Sequence, residues 1–260
     1  MYSKVLFINA APLSLSKQEQ FYYEYPPLGL LYIAAYARNT YPDIKFKVID
    51  CHFTGFKNTI DEVRRFKPDL IGISFPTPSA SGAYTLIKGI KHNFSDIPLV
   101  AGGPHPSALP NESLSKGFDT VVVGEGEKAF LEVLTNNTKG IIIGDPIKEI
   151  DKIPFPARDL INLNLYTGYY ISKRQPETDY ISSRGCYWKP SCTFCSNPCG
   201  SNYRIRSPQN VIDEIELLID QYHIKEFFDQ SDELTPNIKW MSKFEPVSYT
   251  HLTLPTNREV

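Results

Sequence analysis

The sequence lacks an excess of charge of either sign. Its 260 residues include 27 lysines and arginines against 29 aspartates and glutamates, which gives a formal net charge of −2. The isoelectric point is correspondingly near 6.2. A protein that binds nucleic acid through a broad basic face carries a clear positive excess. We therefore expect no nucleic-acid partner.

The sequence also lacks a long apolar run and a secretion signal. No run approaches the roughly 18 residues that a membrane span needs. The first apolar run, residues 5–9, follows a single lysine and ends at Asn9, with Pro12 close behind. It is a poor signal peptide and a good buried strand. We therefore expect a cytoplasmic protein with no membrane partner.

Cysteine is scarce, but it is clustered. Four of the five cysteines fall within residues 186–199. In a reducing compartment, such a cluster indicates metal ligands more than a disulfide framework.

The first 150 residues alternate between two kinds of segment. Short runs that are apolar at nearly every position lie at residues 5–9, 46–50, 70–75, 99–101 and 120–123. Such runs suit strands buried on both faces of a parallel sheet. Segments with helical spacing lie between them, at residues 27–38, 60–66, 84–90 and from 127 onward. The alternation predicts an α/β fold with a doubly wound parallel sheet.

The loops after the third, fourth and fifth strands are rich in glycine and proline. Ligands of doubly wound folds bind outside the carboxyl ends of the strands, and glycines let a backbone approach a ligand closely. The alternative is a set of tight turns, with acidic side chains stabilising a helix N-terminus. The candidate binding residues of these loops are Ser74, Gly102, Gly103, His105, Gly124, Glu125 and Gly126.

The cysteine cluster has the spacing Cys-x5-Cys-x2-Cys, formed by Cys186, Cys192 and Cys195, with Cys199 after three further residues. Thiolates on one loop can converge on one soft metal centre. Three cysteines would hold a 4Fe–4S cluster and leave its fourth iron open. Four would close the site, as in structural zinc or a ferredoxin-type cluster. The spacing leaves these alternatives open.

Two strings in this region resemble a known family. Ser-Arg-Gly-Cys ending at Cys186 and Cys-Thr-Phe-Cys ending at Cys195 resemble the cluster loop of radical S-adenosylmethionine (SAM) enzymes. The domain before them resembles the cobalamin-binding module that many of these enzymes carry. Residues 1–240 show the resemblance, although Cys186 and Cys192 are separated by five residues where the family usually has three.

The resemblance implies a fold, cofactors and partners. The fold would be a flavodoxin-like cobalamin-binding domain followed by the start of a (β/α) radical SAM partial barrel. Cys186, Cys192 and Cys195 would ligate the 4Fe–4S cluster, whose open iron would bind the amino and carboxylate groups of SAM. Reduction by a flavodoxin or ferredoxin would then cleave SAM to a 5′-deoxyadenosyl radical, which would act on a small-molecule substrate.

The resemblance also implies roles for residues beyond the cysteines. Phe194 would pack near the adenine of SAM, and Asp229 or Asp232 would contact its amino or ribose groups. In the first domain, His105 would line the corrin or the nucleotide tail of cobalamin. Both methyl transfer and cyclase-type oxidative chemistry are open.

The segment from Asp50 to Gly55 fits Asp-x-His-x-x-Gly, in which a histidine can serve as the lower ligand of cobalt. The signature belongs after the first strand of a cobalamin module, and here it follows the second. We therefore expect cobalamin to bind without ligation by His52.

The sequence predicts four segments. They are a cobalamin-binding Rossmann-like domain at 1–150, a linker at 151–177, a radical SAM barrel fragment at 178–245 and a non-native tail at 246–260. An alternative function is a non-enzymatic binding module for cobalamin or another small molecule, whose cysteine loop holds a structural zinc.

Overall fold

The computed structural model describes residues 2–13, 25–166, 172–189, 192–195, 199–200, 202–233 and 238–251, with side chains up to 245. The chain forms two compact units. The first unit comprises Met1–Ile147 with Pro154–Leu165, and the second comprises Lys148–Ile153 with Tyr166–Val260. The domain limits expected from the sequence remain predictions. Within the described residues, no helix has the length and apolar character needed to cross a membrane.

The first unit contains six strands and seven helices among its described residues. The strands are β1 (Lys4–Asn9), β2 (Lys45–Asp50), β3 (Leu70–Ser74), β4 (Leu99–Gly102), β5 (Thr120–Val123) and β6 (Gly140–Ile143). The helices are α1 (Leu28–Thr40), α2 (Cys51–Thr54), α3 (Phe56–Phe66), α4 (Ala80–Asn93), α5 (Pro104–Ala108), α6 (Pro110–Ser115) and α7 (Gly126–Asn136).

The six strands form one parallel sheet in the order β2-β1-β3-β4-β5-β6. The chain moves outward from β1 in both directions, which is the doubly wound arrangement. The predicted α/β fold class is confirmed. The five predicted strands are all present, and the sixth, β6, was not predicted from the sequence.

Alternation along the strands buries both faces of the sheet. On one face, Phe7 packs against Phe46 and Phe130, with ring centroids 5.7 and 4.9 Å away. A β-carbon on Gly72 would lie 2.7 Å from the Phe7 ring, so this glycine makes room for it. On the other face, Leu6 and Ile8 join a core that includes residues of α3 and α4. Burial on both faces explains why these runs are apolar at every position.

The segment after β6 has no regular strand or long helix in its described residues. It forms three short 3₁₀ turns at Ile150–Lys152, Arg158–Leu160 and Leu163–Leu165. Asp159 accepts two hydrogen bonds from the Arg38 guanidinium, at 2.7 and 2.8 Å, which ties this segment to α1. These bonds lower the pKa of the Asp159 carboxyl.

The second unit contains the beginning of a barrel-type repeat. Strand β7 (Glu177–Tyr180) pairs in parallel with β10 (Glu226–Asp229), and α8 (Pro208–Tyr222) lies between them in the chain. A parallel strand pair joined through a helix is the βαβ unit from which (β/α) barrels are built. Between β7 and α8, the short strands β8 (Ser183–Arg184) and β9 (Arg204–Ile205) pair antiparallel.

The final described element is α9 (Ile238–His251), which packs against α8. Residues 252–260 of the predicted non-native tail lie outside the described residues.

Candidate functional site

The carboxyl ends of four strands in the first unit line up at one edge of the sheet. In the strand register, Asn9 is opposite both Asp50 and Ser74, and Ser74 is opposite Gly102. This is the edge at which doubly wound folds bind ligands. Three of the four strand ends carry polar side chains. The register therefore places the predicted residues Ser74 and Gly102 side by side.

Backbone hydrogen bonds continue beyond the strand ends and fix the loops. The Phe75 N–H donates to the Gly102 carbonyl at 3.3 Å, and the His105 N–H donates to the Phe75 carbonyl at 3.2 Å. The Gly124 N–H donates to the Ser107 hydroxyl at 3.1 Å. The three glycine-rich loops are thus linked from β3 through β4 to β5. They form a connected surface at the candidate ligand edge.

The glycines of these loops differ in what surrounds them. A β-carbon on Gly103 would lie 2.6 Å from the Ser74 hydroxyl, and one on Gly126 would lie 2.5 Å from Cδ1 of Ile33. Gly103, which also has φ +93° and lies close to the Phe75 backbone, therefore requires a glycine, whereas at Gly126 the end of the Ile33 side chain could shift. A β-carbon on Gly102 would meet no atom within 4 Å. Gly102 therefore leaves open space at this edge, and Gly124 has a single neighbour, at 3.9 Å.

His105 lies beneath this edge, with only 4% of its surface exposed. Its Nε2 is 3.0 Å from the Tyr84 hydroxyl, and its Nδ1 is 3.2 Å from the Thr77 hydroxyl. Each ring nitrogen makes one hydrogen bond, so both are engaged within the domain. The ring also packs against Phe75, with centroids 5.5 Å apart. The side chain thus joins the β3–α4 loop to α4 and α5.

One buried hydroxyl at this edge is unsatisfied. Ser79 is the last residue of the β3–α4 loop. It is completely buried, and its Oγ has no hydrogen-bond partner within the described part of the chain. Leaving such a group unpaired costs about 1–3 kcal/mol. The open space at Gly102 fits an edge that accepts a large polar ligand such as cobalamin.

Asp50 has a structural role that accounts for its place in the Asp-x-His string. Its Oδ1 accepts from the His52 N–H at 3.0 Å and lies 2.7 Å from His52 Nδ1. Its Oδ2 accepts from the Asn9 side chain at 3.0 Å. The carboxylate thus caps α2 and orients the buried His52 ring. The prediction that His52 does not ligate cobalt remains a prediction.

In the second unit, the two arms of the cysteine loop are joined at their base. We define the cysteine loop as residues 186–199. The β8–β9 pair lies at its foot, and the Cys186 N–H donates to the Gly200 carbonyl at 3.3 Å. Gly185 has φ +77°, and a β-carbon there would lie 2.7 Å from the Asn202 carbonyl oxygen. Glycine at this position therefore lets the two arms approach closely.

The loop presents its thiols to solvent. Cys192 and Cys195 are exposed and share a turn in which the Cys195 N–H donates to the Cys192 carbonyl at 3.0 Å. Cys186 is partly exposed, and its sulfur lies 3.5 Å from the Trp188 backbone nitrogen, which donates to it. None of the five cysteines, all of them described, forms a disulfide. Phe194 is 90% exposed.

The donor set has the chemistry of a soft metal centre, because thiolates are the ligands that iron–sulfur clusters and zinc prefer. Over the described stretches of the chain, no three His, Cys, Asp or Glu side chains lie close enough to hold a metal ion. Part of the loop, at residues 190–191 and 196–198, falls outside those stretches. Cys192 and Cys195 are exposed and Cys186 is partly exposed, so the described thiols are open to a metal.

Asp229 and Asp232 differ in their surroundings. The Asp229 carboxylate, at the end of β10, accepts from the backbone N–H groups of Ser182 and Ser231, at 3.2 and 2.9 Å, and from both of their hydroxyls. Asp232 is exposed. Burial and, second, the charge of Asp229 raise the pKa of Tyr180, which ends β7.

Arg206 joins the far arm of the loop to α8. Its guanidinium pairs with Glu214 and donates to the Ile181 carbonyl at 2.8 Å and to the Asn210 side chain at 2.6 Å. Arg206 is 5% exposed and Glu214 is fully buried. The Trp240 indole donates to the Arg206 carbonyl. This buried ion pair holds the segment that follows the loop.

Sequence reasoning missed Ser182, Ser231 and Arg206 as residues that support the site. The sequence did contain a signal for the two serines, because each lies two residues after the end of a strand. The carboxyl ends of parallel neighbours meet at one edge. The burial of Arg206 has no comparable signal, because its partners lie on separate elements.

Comparisons with known proteins agree with this architecture. The model of the B12 binding domain family matches residues 19–134. The uncharacterized methyltransferase PH0819 of Pyrococcus horikoshii is 32% identical over 239 residues, which cover 82% of this chain and 50% of that protein. The anaerobic magnesium-protoporphyrin IX monomethyl ester cyclase of Rubrivivax gelatinosus is 26% identical over 268 residues, which cover 93% of this chain and 47% of the cyclase.

A solved structure shares the fold. The cobalamin-dependent SAM radical enzyme OxsB, with aqua-cobalamin and SAM bound, superposes with a TM-score of 0.72 at 18% identity, over 93% of this chain and 36% of OxsB. The chain therefore combines a doubly wound domain with a βαβ unit in which a cysteine loop lies between strand and helix. The first unit matches the B12 binding domain family, and the chain as a whole is similar to radical SAM proteins that carry a cobalamin-binding domain. It spans about half the length of the curated relatives it matches.

Proposed function

We propose that this chain provides the cobalamin-binding domain and radical SAM elements of an enzyme that modifies a small-molecule substrate. The reaction is methyl transfer or cyclase-type oxidative chemistry, since PH0819 is described as a methyltransferase and the Rubrivivax protein as a cyclase. The proposed cofactors are cobalamin, a 4Fe–4S cluster and SAM. When bound, the cluster supplies the electron for reductive cleavage of SAM, and cobalamin supplies a carrier for a methyl group or an electron.

The cysteine loop carries this proposal. Its base is fixed by the β8–β9 pair, and its thiols lie on the accessible part of the loop. We assign Cys186, Cys192 and Cys195 as cluster ligands, with Cys199 as a bystander. The Trp188 N–H donates to the Cys186 sulfur.

Two exposed side chains are proposed to bind SAM. Phe194 is an apolar ring in water, and stacking on the adenine of SAM would remove its surface from solvent. Asp232 is an exposed carboxylate just beyond the end of β10, and it can accept a hydrogen bond from the amino group or the ribose. Asp229 stands nearby, but its oxygens already accept four hydrogen bonds.

The glycine-rich edge of the first unit is proposed to bind cobalamin. The backbone at Gly102 is open to a ligand, and Ser74 lies beside it in the strand register. Gly103 and Gly124 have positive φ angles, which the loops require at these positions. Glu125 directly precedes α7, which begins at Gly126. His105 supports this surface from below. Cobalamin would then bind without a histidine ligand from the protein.

The proposed partners follow from the chemistry. A cluster that must be reduced needs an electron donor such as a flavodoxin or a ferredoxin. Accessible thiols without disulfides suit a reducing compartment, and we propose the cytoplasm. The net charge of −2 gives no support to a nucleic-acid partner.

Anaerobic reconstitution of the full chain tests the proposal. After addition of iron and sulfide, we expect about four irons per chain, a visible absorption band and, once reduced, an electron paramagnetic resonance signal that SAM alters. Hydroxocobalamin should bind with a stoichiometry of one per chain, measured from the change in its absorbance. With a chemical reductant, release of 5′-deoxyadenosine would report SAM cleavage.

Single cysteine variants assign the ligands. Alanine at Cys186, Cys192 or Cys195 should abolish the cluster, whereas Cys199→Ala and the buried control Cys51→Ala should retain it. Loss of iron on Cys199→Ala but not on Cys186→Ala would replace one proposed ligand with the other. One tightly bound zinc and no cluster would instead support the binding-module alternative.

A further inference from the structure

Asp229 sits at the centre of a hydrogen-bond network that reaches the foot of the cysteine loop. Its Oδ1 accepts from the N–H groups of Ser182 and Ser231 and from the Ser231 hydroxyl, and its Oδ2 accepts from the Ser182 hydroxyl. The Ser231 oxygen accepts in turn from the N–H groups of Ser182 and Ser183, at 2.9 and 2.8 Å. We call Asp229, Ser182 and Ser231 the Asp229 clamp.

The clamp holds the arm that leads to the first proposed cluster ligand. Ser182 and Ser183 are almost completely buried, and the chain passes from them through Gly185 to Cys186. The Ser183 hydroxyl donates to the Glu233 carbonyl at 2.7 Å, which adds another bond to the segment after β10. The near arm of the loop is therefore bonded to residues 229–233.

The far arm is fixed at the same point. The Arg206 N–H donates to the Ser182 carbonyl at 2.8 Å, so Ser182 bonds to β10 through its side chain and to the far arm through its carbonyl. Ser182 and Ser183 themselves have no apolar side chain to bury. Hydrogen bonds hold these two serines in place, and the Asp229 carboxylate accepts four bonds of the network.

We propose that Asp229 is a positioning residue that sets the place of Cys186 through Ser182 and Ser231, and that it does not contact SAM. This inference rests on the proposed function of the loop as a cluster-binding segment. A carboxylate has about four lone-pair sites, two on each oxygen. Oδ1 of Asp229 accepts three hydrogen bonds, including both backbone N–H groups, and Oδ2 accepts one from the Ser182 hydroxyl. Oδ1, the oxygen that holds the backbone of the loop, therefore has no site left for a ligand amino group.

Hydrogen exchange in the cluster-free full chain tests the clamp directly. Asp229→Asn keeps the size of the side chain but removes the negative charge that strengthens all four hydrogen bonds, and it replaces one acceptor oxygen with an NH₂ donor. We expect the Ser182 and Ser183 amides to exchange at least about tenfold faster, the equivalent of one lost hydrogen bond. Asp220→Asn, the same change at an exposed position on α8, should leave both rates unaltered.

Cluster loading and SAM binding separate positioning from ligand contact. After reconstitution, Asp229→Asn should hold less than half the iron of the wild type, while SAM affinity per loaded cluster, measured by equilibrium dialysis, changes less than threefold. Asp232→Asn should hold full iron and lose SAM affinity by tenfold or more. Wild-type exchange and full iron with lost SAM affinity in Asp229→Asn would overturn the proposal.

Two further outcomes remain distinguishable. If the wild type takes up no cluster, the proposed function fails, and unchanged amide exchange in Asp229→Asn would refute the clamp separately. If Asp229→Asn does not fold by circular dichroism, Ser231→Ala replaces it, because it removes the oxygen that accepts from Ser182 and Ser183. Ser231→Ala with wild-type exchange at both amides would also refute the clamp.

Discussion

Two adjacent glycines, Gly102 and Gly103, allow the stability and the ligand binding of the candidate cobalamin edge to be tested separately. Gly103 has φ +93° and ψ −173°, a region that is almost exclusive to glycine. A β-carbon there would also lie 2.6 Å from the Ser74 hydroxyl and 3.1 Å from the Phe75 nitrogen. A β-carbon on Gly102 would meet nothing within 4 Å, and its φ is ordinary.

The expected energies of the two alanine variants differ accordingly. Gly103→Ala should lower the free energy of unfolding by about 2–4 kcal/mol, from backbone strain of about 1–3 kcal/mol and overpacking of similar size that rotation of the Ser74 hydroxyl partly relieves. Gly102→Ala should change stability by less than about 1 kcal/mol. Its methyl group would project into the open edge and weaken cobalamin binding by about tenfold, or about 1.4 kcal/mol.

Urea unfolding and a cobalamin titration measure these two effects. Far-UV circular dichroism follows the unfolding of the chain. Fluorescence follows the second unit alone, because Trp188 and Trp240 are the only tryptophans and both lie there. Absorbance of hydroxocobalamin gives the affinity. Equal stability losses in the two variants, or unchanged cobalamin affinity in Gly102→Ala, would refute the assignment of Gly102 to the ligand edge.

Three further predictions concern packing, a buried charge and thiol reactivity. Gly82→Ala should cost at least about 2 kcal/mol in urea unfolding, because its β-carbon would lie 1.9 Å from the Ala11 carbonyl oxygen, whereas Gly89→Ala on the same helix, with its nearest contact at 3.5 Å, should be neutral or stabilising. Glu214→Gln should cost about 3–5 kcal/mol in tryptophan-monitored unfolding, because it leaves the buried guanidinium without its counter-charge; an effect below about 1 kcal/mol would contradict this account. Burial raises the pKa of Cys51 to about 11, so iodoacetamide at pH 8 should modify the exposed loop cysteines and spare Cys51 until urea is added, as peptide mass mapping would show.

The sequence predicted the fold well where burial is two-sided. The runs that became β1 to β5 are apolar at nearly every position because helices cover both faces of the sheet. Strand β6 was not predicted, because its apolar run extends only from Ile141 to Ile143 and is too short to be distinguished from a loop by periodicity. It is an edge strand, on which Ile143 is 75% exposed. The run between two glycines was the available signal.

The helices α5 and α6 also escaped prediction, for a reason that lies in proline chemistry. Pro104 and Pro110 each begin one of them. Proline suits the first turn of a helix, where no N–H is needed, but Gly-Gly-Pro and Leu-Pro-Asn equally suit a loop. Tertiary contacts decide between the two, since α5 and α6 both contact β5.

For the candidate site, the sequence indicated which loops matter but not which way their polar side chains face. The prediction that His105 lines the corrin stays a prediction, and its ring nitrogens pair with Thr77 and Tyr84, 28 and 21 residues away in the chain. The prediction that Asp229 or Asp232 contacts SAM likewise stays a prediction, and the Asp229 oxygens pair with residues that include Ser182, 47 residues away. Such pairings follow from the packing of separate elements, so no local pattern reveals them.

His105 and Asp229 share a physical role that bears on how mutations in such proteins are interpreted. Glycine- and serine-rich loops bury little apolar surface, so buried hydrogen bonds must hold them in place. In a low-dielectric interior, a network of this kind is stabilising when every member is paired and costly when one is lost. Replacing either residue is therefore expected to displace the loop that it holds and to lower cofactor loading, whether or not the residue also contacts a ligand. Reduced binding alone cannot identify a ligand contact here; a variant at an exposed loop residue, such as Asp232, must lose affinity while amide exchange stays unchanged.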